Sequence, residues 1–229
     1  MKLSQVFAAW LLSATLPVAA QSPQATAPAG NVTPPATVTV RLETELGPIV
    51  LAIETVRAPI TAANFLRYVN SKRLDGSDFY RAMKIGDAGE YGLLQGGLRG
   101  NPKRVFKPIA HEPTHVTGLR HVSGAVSMAR TTPGTATADF FIVWGDLSSL
   151  DSKPGSDAAD PATDAGYAVF GRVVEGMELV RAMLELPRSE SARTEAMKGQ
   201  MLEKPVKILT ARVVASAIAT PAHTTVPAQ

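Results

Sequence analysis

The sequence predicts a mostly-β protein built as an antiparallel barrel. Short segments of apolar–polar alternation recur between residues 38 and 214. Only two segments carry a helical period, too few to supply the crossovers that parallel strands need. The chain has 229 residues, 45% of them apolar, enough for one sizeable domain with its own core.

The first stretch stands apart from that pattern. MKLSQVFAAWLLSATLPVAA places one lysine before a short apolar run, then Pro17 and the small residues Val18, Ala19 and Ala20. This is the layout of a secretory signal peptide over 1–20, cleaved after Ala20. The apolar run is too short for a retained anchor of ~20 residues. Residues 21–36, rich in Pro, Ala and Thr, read as a linker, and 215–229 as a frayed tail. The folded domain is expected over 37–214.

Within it, TVTVRLETELGPIVLAIE alternates cleanly: Val38, Val40, Leu42 and Thr44 share one face, and Ile49, Leu51 and Ile53 resume it after a turn at Gly47-Pro48. This is a β-hairpin with one buried face. In APITAANFLRYVN, Ile60, Ala63, Phe65, Leu66 and Val69 switch to helical spacing, with Thr61 offered as N-cap and an end near Asn70. Strands are predicted at 78–83, 92–96, 123–129, 138–144 and 167–174, a second helix at 175–184, and a closing strand in VKILTARVV. The polar stretch 146–166 reads as a surface loop, and the charged, interrupted stretch 186–204 as an insertion before the last strand.

Composition narrows the chemistry. There is no cysteine, which excludes disulfides, thiol catalysis and a lipid anchor on a cysteine after the leader. A cysteine-free exported chain is expected in a periplasm. The formal charge is +3, falling to +2 once Lys2 leaves with the leader, and no basic cluster argues for nucleic acid. No stable membrane insertion is expected after processing, and the protein is expected to be a monomer. HEPTHVTGLRH brings His111, His115, His121 and Glu112 close in sequence. Pro113 argues against a helix that would align His111 with His115 as metal ligands. No G-x-S-x-G nucleophile elbow is present and no serine–histidine–acid order stands out. The carboxylates of 151–164 lack the spacing of a calcium loop.

Three segments draw attention together: Phe79-Tyr80-Arg81, Gln95-Gly96-Gly97, and SMARTTPGTATADFFIVW at 127–144. A lone arginine on an aromatic strand either packs its stem and points its head at solvent, or is placed for use. With the hairpin, the first helix and YAVFGRVVEGMELVRAM, these segments fall in an order that resembles the cyclophilin family of peptidyl-prolyl isomerases, over nearly all of 37–214.

The resemblance implies a closed eight-stranded antiparallel barrel capped by two helices, with the active groove on its outer face. It implies Arg81 as the main catalytic residue and Gln95 as its polar neighbour. It implies a proline pocket floored by Phe141 and bordered by Leu93, with Phe79, Met128, Ala129 and Asp139 among the substrate-binding positions and Arg130 holding the peptide through its backbone. The expected partners are X–Pro segments of unfolded or exported proteins, with no cofactor and no metal. The alternative on the same fold is a proline-peptide-binding module or chaperone of low activity.

Three departures from the family pattern bear on activity. KIGDAGEYG lengthens the interval between Arg81 and Gln95 and sets Gly92 where the family has a phenylalanine, with Tyr91 as the candidate replacement wall. Asp139 stands where the family has glutamine, an anion able to pair with Arg81. The far loop has no tryptophan, and Leu150 is its one apolar candidate.

Overall fold

The structure, a computed structural model, describes residues 37–86, 89–153, 164–191 and 194–215. The leader, the linker and the tail beyond Ala215 lie outside the described residues. β1 (Thr37–Thr44) buries Val40, Leu42 and Thr44 and leaves the intervening residues partly exposed, as its alternation requires. It pairs antiparallel with β2 (Gly47–Glu54), Val40 facing Leu51 and Leu42 facing Ile49. The turn between them is Glu45-Leu46, one step before the predicted Gly47-Pro48. Thr44 closes it: its hydroxyl donates to the Gly47 carbonyl at 2.6 Å and accepts from the Leu46 N–H at 3.2 Å.

The remaining strands are β3 (Ser77–Ile85), β4 (Tyr91–Gly97), β5 (Ala125–Met128), β6 (Phe140–Trp144), β7 (Ala168–Glu175), a two-residue β8 (Arg188–Ser189) and β9 (Met201–Val214). Every neighbouring pair is antiparallel, in the order β1-β2-β7-β5-β6-β4-β3-β9, and β1 pairs with β9 to shut an eight-stranded ring. β8 only fringes β9. The barrel expected from the sequence is therefore the barrel observed. Among the described residues, closure leaves no long strand edge free.

Two helices pack on the ring. α1 (Pro59–Asn70) buries Ala62, Phe65, Tyr68 and Val69. Phe65 meets Phe140 edge-on at 5.4 Å between ring centroids and Phe170 at 5.0 Å, and Phe79 meets Phe140 at 5.8 Å. Burying each such ring stabilises by roughly 1.5–3 kcal/mol. α3 (Met177–Leu184) buries Val180, Met183 and Leu184. α2 (Thr114–Thr117) is a single turn in the linking loop.

The start of α1 differs from the expectation. Thr61 sits inside the helix, not at its cap, and Ala58 at the N-cap has no side chain to offer. The buried carboxylate of Glu112, from the loop before α2, accepts the Ile60 N–H at 3.1 Å, the Thr61 N–H at 2.6 Å and the Thr61 hydroxyl at 2.6 Å. A carboxylate there satisfies orphan donors and suits the positive end of the helix dipole. The described residues of the stretch 186–204 hold β8, a 3-10 turn at Glu195–Met197 and the first residues of β9.

Candidate active groove

Arg81 owes its direction to a break in the ladder. The pairing of β3 slips between Phe79 and Arg81 against both β4 and β9. Bulges of this kind re-aim a side chain. Phe79 and Tyr80 both stay buried, and Arg81 comes opposite Gln95. Arg81 Nη1 donates to Gln95 Oε1 at 2.9 Å, and Gln95 Nε2 donates to the Tyr80 hydroxyl at 2.8 Å. On the other side, Arg81 Nε and Nη2 both donate to Gln200 Oε1, at 2.9 and 2.6 Å. Nη2 also approaches Met83 Sδ at 3.6 Å. Burial draws the guanidinium below its ordinary pKa, opposed by Tyr80 and Tyr167. A guanidinium remains a cation at neutral pH under such a shift.

The cleft beside Arg81 has a volume of about 190 Å³. Phe141 lines it with Leu93 and Ala129; Leu150 and Tyr167 add further apolar surface, as do Met83 and Met197. Phe141 and Tyr167 meet edge to face at 5.5 Å.

The imidazole of His121 is stacked against Phe141, 6.0 Å between centroids and 12° between planes. Its Nδ1 bonds Asp151 Oδ1 at 2.7 Å and its Nε2 bonds the Ser127 hydroxyl at 3.0 Å. Folding thus assembles a serine–histidine–acid chain from three residues that no sequence motif links. Ser127 has no exposed surface and His121 only 1%, so the hydroxyl has no route to a substrate. The chain holds the ring behind Phe141. Burial pushes the His121 pKa down, against the pull of Asp151.

Of the residues singled out from sequence, Arg81, Leu93, Gln95, Ala129, Arg130 and Phe141 line this one cleft. Arg130 turns its Nε to the Gly166 carbonyl at 3.0 Å and lies over the Tyr167 ring. Three do not reach it. Phe79 is fully buried in the core, and Met128 joins the same core, because both project inward from the barrel wall. Asp139 does not pair with Arg81: its carboxylate accepts the N–H groups of Arg99 at 2.8 Å and Gly100 at 3.1 Å. Burial raises its pKa, opposed by these two bonds, by one from the Tyr80 hydroxyl and by the Leu98 N–H.

The glycines after Gln95 make that arrangement possible. A Cβ at Gly96 would fall 2.7 Å from the Phe79 ring, and one at Gly97, where φ is +132°, would fall 2.5 Å from Asp139 Oδ1. Tyr91 does not replace the family phenylalanine. It is 42% exposed and outside the cleft. Gly92 cannot host a ring, since a Cβ there would meet the Met83 carbonyl at 2.6 Å. Met83, Tyr167 and Met197 supply apolar surface instead. Leu150 does line the cleft. Tyr167, Met197 and Gln200 escaped the sequence reading. Only Tyr167, which opens the YAVFGRV block, carried any local signal.

The histidines of HEPTHVTGLRH part company. His111 bonds the Ala165 carbonyl at 2.8 Å, His115 bonds Ser152, and His121 lies behind Phe141. No group of three metal-ligating side chains occurs among the described residues. Clefts of about 340 Å³ and 360 Å³ lie elsewhere, the first beside Lys84, Glu90 and Arg181, the second beside His115, Arg120 and Asp151. Both are larger, but neither contains Arg81.

Residues 39–213 match the family model described as cyclophilin type peptidyl-prolyl cis-trans isomerase/CLD. A peptidyl-prolyl cis-trans isomerase of Acinetobacter baylyi is 33% identical over 157 residues, 67% of this chain and 73% of that protein. The isomerase cyp18 of Streptomyces antibioticus is 36% identical over 126 residues, 54% of this chain and 69% of that one. The crystal structure of a Cryptosporidium parvum cyclophilin-type isomerase aligns at a TM-score of 0.56 and 20% identity, over 79% of this chain and 99% of its own. A second structure of that protein, in the presence of the dipeptide Ala-Pro, aligns at 0.55 and 20%, over 77% and 99%.

Proposed function

From its membership of the cyclophilin-type peptidyl-prolyl cis-trans isomerase family, to which this chain belongs, we propose that it isomerises X–Pro bonds of exported proteins, with Arg81 stabilising the twisted amide. The observation that carries this reading is the shared lining: a fixed guanidinium and the apolar floor of Phe141 border one cleft.

The chemistry needs little else. Rotation about an X–Pro bond faces a barrier of ~18–20 kcal/mol set by amide resonance. No atom, electron or proton changes hands. The catalyst has to favour the twisted amide over both planar forms. Twisting takes the prolyl nitrogen out of conjugation and makes it a hydrogen-bond acceptor. A guanidinium aimed at that nitrogen stabilises the twist and does not lose its proton. Phe141, Leu93 and Tyr167 suit the pyrrolidine ring, held while the preceding residue turns.

Export and a periplasmic location rest on the leader-like residues 1–20. The reading as a slow peptide-binding module draws on Asp139 and on the inserted stretch KIGDAGEYG; Asp139 bonds the Arg99 and Gly100 N–H groups and the Tyr80 hydroxyl instead of Arg81. A refolding assay limited by proline isomerisation tests the proposal. The wild type is expected to accelerate the slow phase and Arg81→Ala to lose about a hundredfold of that acceleration. Equal rates for the two proteins would remove the claim.

A further inference from the structure

We propose that Gln200 is a positioning residue for Arg81, and that the turn Glu195–Gln200 is part of the active groove rather than an insertion beside it. This inference rests on the isomerase reading of the groove.

A guanidinium on a long side chain has many rotamers, and only one orientation aims a given N–H at a substrate atom. Gln95 holds one edge of Arg81, through Nη1 alone. That single bond leaves the fork free to swing about it. Gln200 Oε1 takes Nε and Nη2 together, at 2.9 and 2.6 Å, across the other edge. The two amide oxygens thus fix the plane of the guanidinium from opposite sides.

The oxygen is neutral, so it orients the cation without cancelling its charge. A carboxylate there would bind more tightly, yet it would offset the positive charge that the twisted amide is to meet. Gln200 is itself anchored: its carbonyl accepts the N–H of Ala82, the residue next to Arg81, at 2.9 Å. Independently, Met197 from the same turn lines the cleft with Phe141 and Leu93. Its flexible thioether lines the same cleft as Met83, an adaptable wall for varied neighbours of proline.

The test uses the full-length protein in four forms: wild type, Arg81→Ala, Gln200→Met and the double variant. Methionine keeps the length of glutamine and removes the acceptor. Gln200→Met is expected to lower kcat about tenfold, the scale of losing bonds to a charged donor, with KM and Tm unchanged. In the Arg81→Ala background it is expected to add nothing. The Arg81 Nε–H resonance reads the same point without catalysis: sharp and slow to exchange in the wild type, broadened in Gln200→Met. An unchanged resonance, or a rate loss that persists without Arg81, overturns the inference. Equal rates for wild type and Arg81→Ala would remove the catalytic role of Arg81 instead, and the resonance would still decide whether Gln200 holds Arg81.

Discussion

At the scale of single residues, the groove separates groups that act by charge from groups that act by shape. Arg81→Lys keeps the charge but loses the planar fork that Gln95 and Gln200 grip. Its peptide isomerisation rate is expected to fall at least tenfold with an unchanged thermal midpoint, and a near wild-type rate would show that charge alone suffices. Asp139 belongs to the second kind. Asp139→Ala strands the N–H groups of Arg99 and Gly100 and is expected to cost about 1–3 kcal/mol of stability in urea. The rate per folded molecule should stay within about twofold, since Asp139 reaches Arg81 only at second hand, through the Tyr80 hydroxyl and Gln95. Arg81, Gln95, Leu93 and Phe141 were legible in the sequence because each sits in a local block of distinctive residues. The destination of Asp139 was not, because a substitution of amide by acid at one position says nothing about which N–H groups lie near it. Gln200 was illegible for a plainer reason: it lies 119 residues from Arg81 in a charged stretch with no periodicity.

Among elements, those with a clean period were read well and those held by distant partners were not. β1, β2 and α1 announced themselves through alternation and helical spacing, with ends displaced by only a residue or two, though Ile60 and Ala63 of the expected helical stripe lie exposed and Ala62 and Tyr68 are buried in their place. What lies at those ends depends on contacts from elsewhere. Glu112, 51 residues beyond Thr61, supplies the cap that Thr61 was expected to give. Glu112→Ala is therefore expected to destabilise the protein by about 1–3 kcal/mol and speed hydrogen exchange at the first turn of α1. Thr61→Val, which removes only the hydroxyl bond, should cost less. Comparable losses for the two would place the cap back on the helix itself. The early start of β9 at Met201 has the same origin. The charged residues Glu203 and Lys204 and the ring of Pro205 hide the strand, and pairing with β3 and β8 produces it.

For the whole molecule, the closed barrel carries the groove on its wall, and the buried His121 with the half-buried His111 gives its stability a pH dependence. Burial holds His121 and His111 below the ordinary histidine range near 6.5. Below that pH the unfolded chain takes up protons at both sites that the folded chain refuses. Stability from these groups is thus full above about pH 6.5 and lost as pH falls toward their folded values. The urea midpoint is expected to be lower at pH 5.5 than at pH 7.5, and His111→Gln should narrow the gap. Asp139, held above the ordinary carboxylate range, pulls the other way at lower pH. Catalysis by the folded protein should ignore this window, because Arg81 keeps its proton throughout. The most direct measurement is the exchange rate between cis and trans forms of an Ala-Pro peptide, followed by NMR with catalytic amounts of protein. The account predicts rapid exchange with the wild type and a rate about a hundredfold slower with Arg81→Ala. Undiminished exchange with Arg81→Ala would contradict it.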